Sequence, residues 1–427
     1  MTTQLPTVDR AVAETGDAPS RHPLRSLRTW LMPVALIVGV AAALPAIYLS
    51  ATSDPSGTVS GLPVGLVVES PAAAGSPAAT LADAITSAVD ESVALTRMTP
   101  QELEVAMHED RVAGAVVIPA DFDASLATLL PGADRVTVPT VRIETNAGDG
   151  GLSSGLVISS LTPVLHGVAA TVGGELTDTA GPALPAANAA LLSAPFHVAT
   201  APYEPLPSHS GLGTSAFYFA LALVLIAFIG ASLIGPIVDG ALGFIPAELG
   251  PLVARSRYTH VSRRRTFVVK AGILTAAAPP AALVVQLVAA GSGVAVDAPF
   301  SLWLFATAAI AAIGTSALAV FALLGPGIGA LVNTLFFVAL AMVSSGGIVP
   351  LEATPPFFRA VSAFAPFRFV IDGTRSLFYF DGAPAAGLGG AWIGIIVIGA
   401  IGIAGGLVAT TAYDRVRTFS RAPRPQL

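Results

Sequence analysis

Cysteine is absent from all 427 residues. That excludes a disulfide framework and any thiolate metal site, and no oxidative folding is needed even where the chain lies outside a cell. Charge is scarce: 11% of residues are charged, against 53% hydrophobic, with a mean hydropathy of +0.75. Soluble domains carry roughly 25% charged residues, so the composition is that of an integral membrane protein. Lysine is reduced to Lys270, and arginine carries the rest of the positive charge. No G-x-x-x-x-G-K-[ST] loop occurs, so the chain does not bind ATP in the Walker manner. His108, His166, His197 and His209 are scattered, and His22 and His260 are isolated, so none has metal-ligand spacing. No catalytic constellation, cofactor fingerprint or nucleic-acid module is visible.

What is present is a pattern of long apolar runs. One covers residues 29–50; after a long polar gap, others begin near 213 and cover 271–290, 301–323, 327–349 and 391–413. A hydrocarbon core of roughly 30 Å needs about 20 apolar helical residues, and each run supplies them. The first run follows Arg21, Arg25 and Arg28. It exceeds the roughly 7–15 residues of a signal-peptide core, so it reads as an uncleaved signal-anchor helix.

Arginine placement orients the chain, because short basic loops stay in the cytoplasm. Residues 1–28 hold Arg10, Arg21, Arg25 and Arg28; loop 237–266 holds Arg255, Arg257, Arg263, Arg264 and Arg265; residues 414–427 hold Arg415, Arg417, Arg421 and Arg424. Six spans put all three groups and both termini on the cytoplasmic side, with 51–212 and 351–390 outside and a turn at Gly325-Pro326-Gly327 inside. The expected fold class is therefore membrane α-helical, with six transmembrane helices. An α/β extracytoplasmic domain and its linker, residues 51–212, are inserted between the first and second helices; residues 213–413 hold the other five.

Within the outer segment, Leu62–Val68 and Gly114–Ile118 read as buried strands and 135–145 as a third. Residues 80–89 are helical in composition. Thr99-Pro100-Gln101-Glu102 is a helix start with Thr at N-cap, Pro at N1 and Glu at N3. Val157, Leu161, Val164, Val168 and Val172 recur at helical spacing, with Pro163 expected to bend that helix. Residues 176–212, rich in Ala, Pro and Ser, read as a linker or a loosely packed return. Gly151-Leu152-Ser153-Ser154-Gly155 fits G-x-S-x-G, but the nearest expected strand ends several residues earlier, so a helix start is favoured over a nucleophile. The acidic surface reads as solvated; Asp121 and Asp123 supply no calcium-loop spacing.

The spans hold no charged residue at 213–238, 271–296, 301–351 or 383–413. Proton and sodium pumps usually need acids there, so either the energy source lies elsewhere or no transport work is done. Gln286 and Asn333 read as interhelical hydrogen-bonding residues.

Residues 344–378 read SSGGIVPLEATPPFFRAVSAFAPFRFVIDGTRSLF. They describe a span ending in small residues, then an external amphipathic helix within 354–378 whose apolar face is Phe357, Val361 and Phe364. Pro366 breaks it, and Asp372 and Arg375 stand about one turn apart, with Arg368 before them. A surface connector and a functional element both fit this segment.

At this segment the chain resembles the membrane (permease) subunits of the type-2 ABC exporter superfamily, in which a Ser/Gly-rich span end, a Pro, a short amphipathic helix, a Pro break and an acid-x-x-Arg pair follow the penultimate span. The large domain after the first span resembles the phage-infection-protein (YhgE/Pip-like) subgroup. There LPVGLVV at 62–68, GAVVIPADF at 114–122 and Glu144-Thr145-Asn146 have counterparts, while Glu69-Ser70 departs from the subgroup's pattern. The resemblance implies a multi-pass plasma-membrane subunit, not itself an enzyme, that works as a homodimer or heterodimer with a separate ATP-binding subunit. It would move an apolar or amphipathic substrate outward. Docking would fall on loop 237–266, through Glu248, Arg255, Arg257, Arg263, Arg264 and Arg265, with a short helix opening at 246–249; an interfacial helix anchored to anionic lipid fits the loop equally. A non-transporting envelope receptor, scaffold or secretion-associated protein is the alternative, and a membrane enzyme built on Ser153 a distant third.

Overall fold

The computed structural model describes residues 27–70, 75–130, 135–180, 190–249, 251–254, 256–416 and 419. It divides into two compact units, Met1–Ala46 and Ile47–Leu427. The described part of the first unit is the beginning of helix α1 (Leu27–Thr52). The N-terminal arginines Arg10, Arg21 and Arg25, and Arg417, Arg421 and Arg424 at the other terminus, lie outside the described residues.

The second unit contains a sheet of five strands: β1 (Leu62–Val68), β2 (Val93–Met98), β3 (Gly114–Ile118), β4 (Thr140–Thr145) and β5 (His197–Pro202), in the order β2-β1-β3-β4-β5. The β2–β1, β1–β3 and β4–β5 pairs are parallel; β3–β4 is antiparallel. Helix α2 (Pro77–Ala88) joins β1 to β2, and α3 (Pro100–His108) joins β2 to β3. Side chains alternate across the sheet. Leu62, Val64, Leu66, Val116, Ile118, Val141 and Ile143 face one core with α2, with α4 (Phe122–Ala127) and with α5 (Gly151–Ala180); Val67, Ala115 and Val117 face Leu103 and Met107 of α3. Both capping-box bonds of Thr99 and Glu102 are formed.

Two expectations are corrected here. The strand foreseen at 135–145 is confined to Thr140–Thr145. The segment taken as linker carries β5: its alternating small residues pair with β4 on an open edge, where its side chains stay mostly exposed, so no apolar signal marked it. Helix α5 is continuous through Pro163, with Leu156, Val157, Leu161, Leu165 and Val168 packed on the sheet on both sides of the proline.

Helices α6 (Thr214–Ala241), α7 (Arg263–Gly291), α8 (Pro299–Asn333), α9 (Pro356–Ser362), α10 (Pro366–Tyr379) and α11 (Gly389–Arg415) build a bundle. Its core joins Phe217 and Leu223 of α6, Phe305 and Ile310 of α8, Phe367 and Ile371 of α10, and Ile395 of α11. The helical stretch Pro299–Val343 has 45 residues. It is not one rod. Gly325 adopts φ 78° and ψ 175°, outside the helical region. Asn333 Nδ2 donates to the Ala317 carbonyl at 3.1 Å, although the two are 16 residues apart. A straight helix would separate them by about 24 Å, so the chain doubles back at Gly325-Pro326.

Among the described residues, six helical stretches are long and apolar enough to cross a membrane: Val34–Thr52, Gly151–Thr179, Thr214–Ala241, Arg263–Gly291, Pro299–Val343 and Pro384–Arg415. Gly151–Thr179 lies on the sheet, and Pro299–Val343 is folded back on itself at Gly325-Pro326.

Candidate functional site

One polar cluster ties the sheet to the bundle. β4 ends at Thr145, and a 3-10 turn, Ala147–Asp149, precedes α5. Asn146 is buried and donates its side-chain amide to the carbonyls of Met107 (3.1 Å) and Val112 (3.3 Å) and to Asp110 Oδ1 (3.1 Å). Arg375 of α10 reaches across. Its Nη1 pairs with Asp149 Oδ1 at 3.1 Å, and its Nη2 donates to the Asp149 carbonyl at 2.6 Å and the Gly347 carbonyl at 3.3 Å. A side chain at Gly148 would collide with the Phe380 ring, so glycine lets the turn approach the bundle. Asp110 sits beside this cluster. Burial, then the Asp149 charge, push its carboxyl up to about 8, with Arg375 opposing.

Ser153 lies inside this joint. It is 1% exposed, and its hydroxyl donates to the Asp149 carboxylate four residues earlier. A nucleophile elbow needs a strand running straight into an exposed serine; here a turn intervenes and the hydroxyl is covered. G-x-S-x-G at this position builds a joint.

The expected amphipathic helix 354–378 is two helices, α9 and α10, broken where Pro366 was expected to break it. Val361 is buried, but Phe357 and Phe364 are 62% and 57% exposed, and the neighbour Phe358 is buried instead. Phe364 stacks on Phe336. Asp372 pairs with Arg368 at 3.5 Å, one turn back; Arg375 leaves Asp372 for Asp149. Arg359 donates to Ser60 Oγ and the Thr354 carbonyl, a second tie to the sheet.

The far end of α6, away from the sheet, carries loop 237–266. The short helix expected at 246–249 is a β-hairpin, β6 (Ala247–Leu249) with β7 (Leu252–Ala254). Gly250-Pro251 punctuates the apolar residues at a spacing that suits a two-strand turn and stops a helix. Arg255 and the side chain of Glu248 lie outside what the structure describes. Arg257, Arg264 and Arg265 are exposed, as are Leu252 and Val253 on the hairpin. Arg263 is tied down: its Nε donates to the Phe419 carbonyl at 2.8 Å, and its guanidinium lies 5.9 Å from the Tyr413 ring centre. Asp414 accepts from the first backbone N–H groups of α7, Arg263 at 2.9 Å and Arg264 at 3.0 Å. That satisfies donors a helix start leaves open.

Lys270, the one lysine, pairs with Asp239 at 2.9 Å. Both line a cavity of about 610 Å³ between α6, α7, α8 and α11. A second cavity, about 590 Å³, lies at the C-terminal ends of β1 and β2; its charges Glu69 and Arg97 are paired with Arg142 and Asp83. Among the described residues no group of three His, Asp or Glu could hold a metal. Sequence reading did not anticipate the roles of Asp110, Asn146, Asp149, Asp239 and Asp414. The one available signal was position: Asp239, Lys270 and Asp414 stand at the edges of uncharged runs, where a lone charge needs a partner.

The family model described as ABC-2 family transporter protein matches residues 26–409. No curated protein and no solved structure matches the chain.

Proposed function

The chain belongs to the ABC-2 transporter family, and from that premise we propose that it is the membrane subunit of an exporter moving an apolar or amphipathic substrate outward. Members of this family are membrane subunits without catalytic activity of their own, and they work with an ATP-binding subunit and membrane lipid. The observation that carries the reading is a match spanning nearly the whole chain, over a chain whose runs 213–238, 271–296, 301–351 and 383–413 hold no charged residue to couple to an ion gradient.

In this reading α1, α6, α7, the two arms of the α8 hairpin and α11 cross the membrane, and both termini are cytoplasmic. The sheet with α5 is an extracytoplasmic domain of the YhgE/Pip-like kind, and α9–α10 form a re-entrant element beneath it. Arginine clusters at one end of the bundle and an acidic sheet at the other support this orientation. The ATP-binding subunit docks on loop 237–266. Exposed Leu252 and Val253 beside exposed Arg257, Arg264 and Arg265 suit a protein partner better than lipid alone, since the apolar residues stand on a hairpin among charges. Two copies, or one copy and a homologue, then form the pathway between them.

Affinity purification of the full chain from native membrane tests this. An ATP-binding subunit should co-purify and should be lost when Arg257, Arg264 and Arg265 are replaced by Glu together. If no such subunit is recovered, the envelope-receptor reading takes over.

A further inference from the structure

The far-end cavity differs from the other polar sites in what it leaves unbalanced. Two cationic side chains, Arg263 and Lys270, border it against one acid, Asp239. The other nearby acid, Asp414, is occupied by the N–H groups of Arg263 and Arg264. Among the lining residues the cations outnumber the acids, while Asp414 offsets the positive end of the α7 dipole. Clefts with low-dielectric walls focus such a field and raise the local concentration of anions.

Much of the remaining lining is apolar, including Phe321 and Leu318 of α8, Phe267 of α7 and the Tyr413 ring of α11, with Ser232, Thr266 and Thr410 as its polar members. At the rim, Pro236, Leu323 and Leu324 are exposed. At about 610 Å³ the space falls within the range of small-molecule sites, roughly 300–1,000 Å³. It combines charge at the bundle's end with an apolar wall running inward between membrane-length helices. A soluble anion would use only the first; an amphiphile uses both.

We propose that this cavity binds an anionic phospholipid, its phosphate on Lys270 and Arg263 and the start of an acyl chain against Phe321, Leu318 and Phe267. Basic pockets between membrane helices hold lipid headgroups in this manner. The inference requires only that α6, α7 and α11 lie in a bilayer; it does not depend on export or on an ATP-binding partner.

The test is native mass spectrometry of the full chain in detergent, with dioleoyl phosphatidylglycerol, dioleoyl phosphatidylcholine or glycerol phosphate added. Phosphatidylglycerol should bind with at least tenfold preference over phosphatidylcholine, and glycerol phosphate should not bind. Lys270→Gln should cut the affinity about tenfold. Because that change leaves Asp239 without its cation, the paired change Lys270→Gln with Asp239→Asn serves as the folded control and should show the same loss. Ala322→Phe, which fills the cavity and leaves every charge in place, should abolish binding. Equal binding of the two lipids, binding of glycerol phosphate alone, or phosphatidylglycerol binding that survives Ala322→Phe in folded protein overturns the proposal.

Discussion

The two ends of α6 handle charge in opposite ways. At the sheet end, Arg375 is 9% exposed in its side chain and spends its donors on Asp149 and Gly347. Every charge there answers to another part of the chain. At the far end, Lys270 and Asp239 pair across a cavity, with a further cation beside them. The first arrangement fixes one element on another. The second keeps polar chemistry next to open space between helices. Buried ion pairs are costly to form and costly to break, so a closed cluster acts as a rigid joint, whereas a cluster on a cavity can change partners.

The comparison breaks most severely at the joint. Arg375→Ala strands Asp149 in a part-buried site, and removing one member of a buried pair costs roughly 3–5 kcal/mol. Thermal unfolding in detergent should show the largest drop of any single change considered, and limited proteolysis should release a 53–212 fragment. Arg375→Lys should recover little, because one ammonium cannot reach two carbonyls and a carboxylate in the guanidinium's geometry. If Arg375→Ala melts with the wild type, the joint is not what holds sheet to bundle. Gly373→Ala comes next. A Cβ at Gly373 would lie 2.1 Å from the Phe305 ring, whereas one at Gly272 meets nothing within 4 Å. Overpacking of this kind costs about 1–3 kcal/mol, so Gly373→Ala should lower the melting temperature and Gly272→Ala should not.

What the sequence made legible follows the same divide. Strands β1 and β3 and the Thr99 helix start stand where apolar runs and cap chemistry placed them, because these are local signals. The reversal at Gly325-Pro326 was legible for the same reason: a glycine at positive φ followed by a proline ends a helix in any context. The joint was not legible. Asp149 and Arg375 are 226 residues apart, and the nearest acid in sequence was Asp372, which belongs to Arg368 instead. β5 escaped because an edge strand with an exposed face carries no apolar alternation. The hairpin at 247–254 escaped because a Pro-Ala-Glu-Leu start looks helical until Gly250-Pro251 is weighed against it.

Asp110 gives a smaller, pH-dependent handle on the joint. Its ordinary carboxyl value is about 4, and in the fold it is pushed up to about 8. Between those values the folded protein holds a proton that the unfolded chain has lost. Stability therefore falls as pH rises from about 4 to about 8 and levels off above. Asp110→Asn carries no such proton and keeps an oxygen for Asn146 Nδ2. Its backbone at φ 53° also suits asparagine. Melting temperatures taken from pH 5 to pH 9 should converge at the acid end and separate by a few degrees in the variant's favour at the alkaline end. Parallel curves would mean that Asp110 is not the group that titrates.

The smallest expected effect isolates the sheet from the joint. Thr99 Oγ1 accepts from the Glu102 N–H at 3.2 Å, and Glu102 Oε2 accepts from the Thr99 N–H at 2.8 Å. Thr99→Ala should cost about 1 kcal/mol. The bonds from Thr99 also hold the Glu102 carboxyl below its usual range. A depressed carboxyl contributes above its unfolded value and loses that contribution as pH falls through the folded one, so the difference between wild type and Thr99→Ala should shrink below about pH 4. Whole-protein melting is too coarse for this change, since the bundle can melt at its own temperature. Hydrogen exchange over 100–108 reads it directly: protection should drop about fivefold there, with α10 unaffected. If exchange in α10 rises as well, the joint transmits instability from sheet to bundle, and the two are not separable elements but one cooperative structure.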